Sequence, residues 1–131
     1  MELRFAVLAD FANATNDGKI NILGVCDRLF ALSFPALHRQ LFLVTSIETG
    51  LEDEGQTRSI RIQMINADGH VLNELNGQVT FPNIKQIFHQ IHMFHDLRFE
   101  TPGPYQFNIF FDGRMVKTLD LELEQLVPQQ A

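Results

Sequence analysis

Three of the five histidines stand at three-residue intervals in FHQIHMFH, at His89, His92 and His95. Imidazole is a common metal ligand, so this spacing first raises a metal site. On a strand, at ~3.3 Å per residue, His89 and His95 share a face about 20 Å apart while His92 points the other way. On a helix, His89 and His92 are neighbours and so are His92 and His95, but His89 and His95 diverge. At most a pair of ligands results, and acidic loop residues would have to complete a zinc shell. Gln90 and Ile91 follow His89 where the H-E-x-x-H protease signature needs a glutamate. A metal-binding protein or metal-dependent hydrolase using His89, His92 and His95 is therefore an alternative reading of the chain.

A second group of candidates is polar and acidic: Asp10, Asn13, Asp17 and Asp27. Asn13, Thr15, Asp17 and Gly18 match positions one, three, five and six of an EF-hand loop. The twelfth position is Gly24, where calcium needs a bidentate glutamate. The same residue types also fix irregular loops by bonding to local backbone. Functional groups concentrate on loops held by a rigid scaffold, so a ligand surface, if there is one, is expected at Asp10, Asn13, Asp17 and Asp27. Cys26 has no histidine placed near it by any signature and reads as a small buried hydrophobe. No G-x-S-x-G elbow, Walker loop or dinucleotide fingerprint is present. No catalytic residue is assigned and no cofactor is implied.

The elements that must position these residues read as strands. Asp17-Gly18, Asp68-Gly69 and Asp112-Gly113 each separate apolar or alternating runs, the short-range mark of a hairpin. Around the last, Tyr105, Phe107, Ile109 and Phe111 alternate with polar residues, and Met115, Leu119, Leu121 and Leu123 are expected on one face of the partner strand. Around the middle one, Ile60, Ile62 and Met64 alternate with Arg61 and Gln63, and Gly77 in the following strand predicts a bulge or bend. The first pair is LRFAVLA and INILGV, joined through DFANATNDGK as an ordered loop. Leu41–Ile47 reads as a central strand preceded, over 34–40, by an irregular crossing or one helical turn. The segment Ile84–Glu100 fits both a helix, through Ile84, Ile87, Phe88, Ile91 and Phe94, and a strand, with Ile87, Ile91, Met93, Leu97 and Phe99 on one face. The all-β context favours the strand. The expectation is one antiparallel two-sheet β-sandwich, Ig-like or C2-like, of seven to eight strands over residues 1–125, with residues 126–131 as a C-terminal tail.

The chain resembles a family of small bacterial proteins known only as a domain of unknown function. The resemblance lies in Ala9-Asp10, Ala12-Asn13, Asp17-Gly18-Lys19, Asn21-Ile22, Gly24 and Asp27, and resumes with Arg98-Phe99, Pro102-Gly103, Tyr105, Phe107, Ile109 and Asp112-Gly113. It implies a β-sandwich with no established activity, and it does not include the histidine-rich stretch.

Composition narrows the functional classes. The chain has 131 residues, 45% of them hydrophobic, which suits one domain with a sizeable core. Twelve phenylalanines, one tyrosine and no tryptophan point to aromatic packing inside rather than stacking platforms outside. A formal charge of −6 works against phosphate backbones and anionic membranes, so no nucleic acid and no membrane are expected as partners. The single cysteine allows no intrachain disulfide and fits a reducing compartment, hence the cytoplasm. The leading expectation is a noncatalytic binding or assembly module with a protein partner or self-association. A structural component of a phage or secretion assembly is a further alternative.

Overall fold

A computed structural model describes residues 1–81 and 87–127. Nine strands form two sheets, with no α-helix among the described residues. The strands are β1 (Glu2–Ala14), β2 (Ile20–Val25), β3 (Arg28–Ala31), β4 (Ala36–Glu48), β5 (Thr57–Ile65), β6 (Val71–Thr80), β7 (Ile87–Phe99), β8 (Gly103–Phe111) and β9 (Arg114–Gln125). One sheet has the order β2-β1-β4-β7, and the other, which curls into a half-barrel, has the order β3-β9-β8-β5-β6. All-β architecture in two sheets is as expected.

The details differ from expectation in number and direction. Nine strands replace seven to eight because Arg28–Ala31 pairs with β9, and it does so in parallel, so the pairing is not wholly antiparallel. Four residues carry too little alternation to announce a strand. Residues 36–40, expected as an irregular crossing or a helical turn, extend β4 by pairing with β7. The ambiguous segment is strand β7; Ile84 and the rest of 82–86 lie outside the described residues, as do 128–131 of the expected tail.

The inner faces of the two sheets share one core, in which Leu41, Leu43 and Ile47 meet Ile62, Phe107 and Ile109. Phe94 and Phe107 close it edge to face, with ring centroids 5.3 Å apart, a geometry favoured by the ring quadrupoles. In β8, Tyr105, Phe107, Ile109 and Phe111 are all buried as their alternation predicts. In β9 a register shift at Ile109/Phe110 exposes Met115 and turns Val116 toward the core instead. Along β7 a positive φ of 52° at Asp96 reverses the parity: Phe94 and Leu97 both face the core, while Ile91 and Met93 do not join them.

A second, smaller core lies on the opposite face of the four-stranded sheet. There Ala12, Ile20 and Ile22 of the β1–β2 hairpin pack against Phe42, Val44 and Ile91. The hairpin extends further than the sequence indicates: Phe11 to Ala14 pair with Leu23 to Ile20, leaving only residues 15–19 as the connection. The expected loop from Asp10 is therefore strand.

Candidate functional site

The four polar candidates of the first hairpin are distributed along it. Asp10 lies opposite Gly24, whose φ of +71° turns the chain at that point. Asn13 accepts a hydrogen bond from Asn21 Nδ2 across the ladder at 3.0 Å. Asp17 sits at the tip, hydrogen-bonded by the Thr15 hydroxyl and paired with Lys19 Nζ at 3.4 Å. Those bonds, Thr15 first, hold its carboxyl below the usual range. Asp27 joins β2 to β3, and its backbone carbonyl accepts from Glu122. Asp10 and Asp17 are separated by four residues of strand, ~13 Å, before the turn begins. Asp10 and Asp27 both lie near Cys26, whose thiol is pushed up by burial and then by these two charges.

The histidines divide as strand geometry requires. His89 is directly opposite Ser46 and has its ring 6.4 Å from that of Phe5. His95 is opposite Gln40 and exposed, about 20 Å further along β7. His92 is opposite Leu43 and faces the core. Among the described residues, no three of His, Cys, Asp and Glu are placed together to hold a metal.

Polar side chains do converge at another place, between the sheets. Three buried atoms there have no hydrogen-bond partner among the described residues: Thr45 Oγ1, Gln90 Oε1 and His92 Nε2. Thr45 and Gln90 are directly opposite on β4 and β7, and His92 follows two residues along the same face. Desolvation keeps the His92 imidazole below its ordinary pKa, so it is neutral at physiological pH. Gln90 and His92 border a cavity of about 80 Å³ whose other wall is Ile60, Ile62, Leu75 and the run Asn76-Gly77-Gln78.

Gly77 leaves one wall of the cavity without a side chain. The ladder passes through it without a register shift, from Asn76↔Arg61 to Gln78↔Ser59, so the expected bulge is absent. Position 77 pairs with the buried Ile60, and its neighbours on the same face, Leu75 and Val79, pack against the core. A Cβ at 77 would meet no atom within 4 Å, and the backbone there has no left-handed φ. A side chain is missing where sheet geometry accepts one. The sequence signal was available: Thr45, Gln90 and His92 interrupt otherwise apolar inward positions.

The outer face of β6 carries a second recess, of about 380 Å³, lined by Ser59, Arg61, Gly113 and the same Asn76-Gly77-Gln78 run. The Arg61 guanidinium lies 4.3 Å from the centroid of the Phe110 ring, and its buried Nε has no hydrogen-bond partner among the described residues. Gln63 and Asn76 both donate to Glu74, whose carboxyl is held below its usual range by Asn76 first, then Gln63, with Arg61 adding a smaller attraction.

The model of a family of unknown function, DUF6941, matches residues 4–124. The chain belongs to that family. No curated protein matches it. Among solved structures, the DUF6941 chain is similar to the Pseudomonas fluorescens alkylpurine DNA glycosylase AlkC, bound to DNA containing an abasic site analog, at 11% identity and a TM-score of 0.52. The match covers 94% of this chain and 30% of the glycosylase chain, so it is a likeness of fold. It corrects the partner expectation. This fold occurs in a protein bound to DNA, and a net charge summed over a surface does not describe the local cations that meet phosphates, so nucleic acid is not excluded. No comparison identifies a protein partner or self-association, and that expectation is withdrawn with it.

Proposed function

We propose that the protein is a noncatalytic binding module that takes a small hydrogen-bonding ligand in the cavity beneath Gly77. The observation that carries this reading is the coincidence of a missing inward side chain with two unpartnered buried polar atoms on the cavity wall, Gln90 Oε1 and His92 Nε2. An unsatisfied buried polar atom costs ~1–3 kcal/mol, so the two together favour whatever supplies their partners. Neutral His92 and Gln90 offer both donors and acceptors, which suits a hydroxyl or amide group. The space is large enough for a few waters or for one short polar arm. The two sheets are read as a β-sandwich of the Ig-like or C2-like kind, and the lone Cys26 supports a cytoplasmic location as part of this reading.

The test is a two-dimensional NMR titration with small alcohols, diols and primary amides. Amide resonances of Gly77, Gln78, Gln90 and His92 should move saturably with at least one of them. Gly77→Val, whose new side chain enters the open space, should leave the fold intact and abolish the movement. Unmoved resonances in the wild type across the whole set would sink the reading.

A further inference from the structure

We infer that the ligand of the Gly77 cavity carries an anionic group, and that Arg61 holds this group on the outer side of β6. The inference rests on the proposed use of that cavity and adds the chemistry of the ligand's other end. The inner cavity and the outer recess share Ile60, Asn76, Gly77 and Gln78 as walls, so they lie on either side of one stretch of edge strand. The β5–β6 ladder is unbroken at Gly77, so a ligand seated inside reaches the outer face around the free edge of β6, where Gly77 puts no side chain in the way. On that route it meets the cation.

Arg61 is arranged for such a contact. It lies in one cross-strand row with Phe110 and Asn76, and its guanidinium carbon rests over the Phe110 ring, 4.3 Å from the centroid. A guanidinium held in this way loses little further freedom on binding an oxyanion and presents its N–H groups as a planar fork. Its Nε–H is buried and has no hydrogen-bond partner among the described residues. Glu74 attracts it more distantly but is occupied by Gln63 and Asn76. Ser59 and Gln78, directly opposite each other on β5 and β6, border the same recess and add neutral polar groups. The chemical class is a small hydroxylated phosphate or carboxylate, its neutral arm inside and its anion outside.

Glycerol 3-phosphate, glycerol and inorganic phosphate are the probes, titrated by NMR into the wild-type chain, Arg61→Gln and Gly77→Val, with circular dichroism confirming each fold. The wild type should bind glycerol 3-phosphate roughly tenfold more tightly than either fragment, the gain expected of a charge-assisted bond. Arg61→Gln should reduce this to the affinity for glycerol, and Arg61→Lys should recover only part of it. Equal affinity of wild type and Arg61→Gln for glycerol 3-phosphate would overturn the anion assignment while glycerol binding left the cavity standing. Phosphate binding that survives Gly77→Val, with no glycerol binding in the wild type, would overturn the cavity reading and the two-ended ligand with it.

Discussion

Asp53 is the most constrained acidic side chain among the described residues, at 1% exposure. It accepts from the Met1 ammonium at 2.6 Å, the Gly50 amide at 2.8 Å and Arg58 Nε at 3.2 Å. Burial alone would raise its pKa. The hydrogen bonds from the amino terminus and Gly50, the terminal charge and Arg58 outweigh burial, and the carboxyl is held below its usual value. A depressed carboxylate stabilises the fold above its unfolded pKa of about 3.9, and that contribution is lost as pH falls through the lower folded value. Asp53→Asn removes the charge while keeping the shape, leaving the Met1 ammonium, itself 4% exposed, with only the more distant and exposed Glu52 carboxylate at 3.9 Å. Urea denaturation should show a loss of about 3 kcal/mol at pH 7, the scale for breaking a buried ion pair. The difference should shrink toward pH 3; a loss under 0.5 kcal/mol at pH 7 would contradict this account.

At the scale of elements, the β1–β2 hairpin turns on the pair Asp10 and Gly24. A Cβ built at Gly24 would lie 2.5 Å from Asp10 Oδ2, and the φ of +71° disfavours any side chain. Gly24→Ala should therefore destabilise the protein by about 1–2 kcal/mol, a cost typical of left-handed backbone plus a displaced side chain. Adding Asp10→Ala should return the steric part but not the backbone part. A double-mutant cycle with no coupling would show that the two residues do not constrain each other. The same hairpin marks where sequence reading succeeds and fails. Strict alternation in Tyr105–Phe111 announced β8, because one face is buried and the other is wet. Phe11 to Ala14 gave no such signal, since both faces of that stretch carry small or apolar residues and pairing with β2 came from tertiary context. Parity was also unreadable wherever one residue changed it: Asp96 in β7 and the shift beside Phe110 reassigned Met93 and Met115. The candidate site was half legible. The spacing of three histidines draws attention to His92, whereas Gln90 gains a role only once β7 is known to be a strand and Thr45 joins them only through the pairing of β4 with β7.

For the molecule as a whole, the core that joins the two sheets contains one histidine whose protonation the fold resists. His92 faces Ile60, Ile62, Leu75, Asn76, Gln78 and Gln90 across or beside the cavity, and none of these carries a charge that would stabilise an imidazolium. Its pKa is lowered by burial, while the unfolded chain takes up the proton near the ordinary value of about 6.5. Between that value and the lower folded one, the unfolded state binds more protons, so stability falls as pH falls, at up to ~1.4 kcal/mol per pH unit. This window lies above the range in which Asp53 loses its contribution, so the two effects separate along the pH axis. His92→Leu removes the titrating group and leaves an apolar side chain in a position flanked by Phe94 and Leu43. Midpoints of urea unfolding between pH 7 and pH 5 should decline for the wild type and decline markedly less for His92→Leu. Parallel profiles for the two proteins would show that His92 is protonated equally in both states, and the cavity would then be wet enough to solvate a cation. The neutral imidazole is also the form that can accept a hydrogen bond from a ligand's hydroxyl at Nε2, so a ligand bound there should keep its affinity through that window and lose it only as pH falls through the lower folded value of His92.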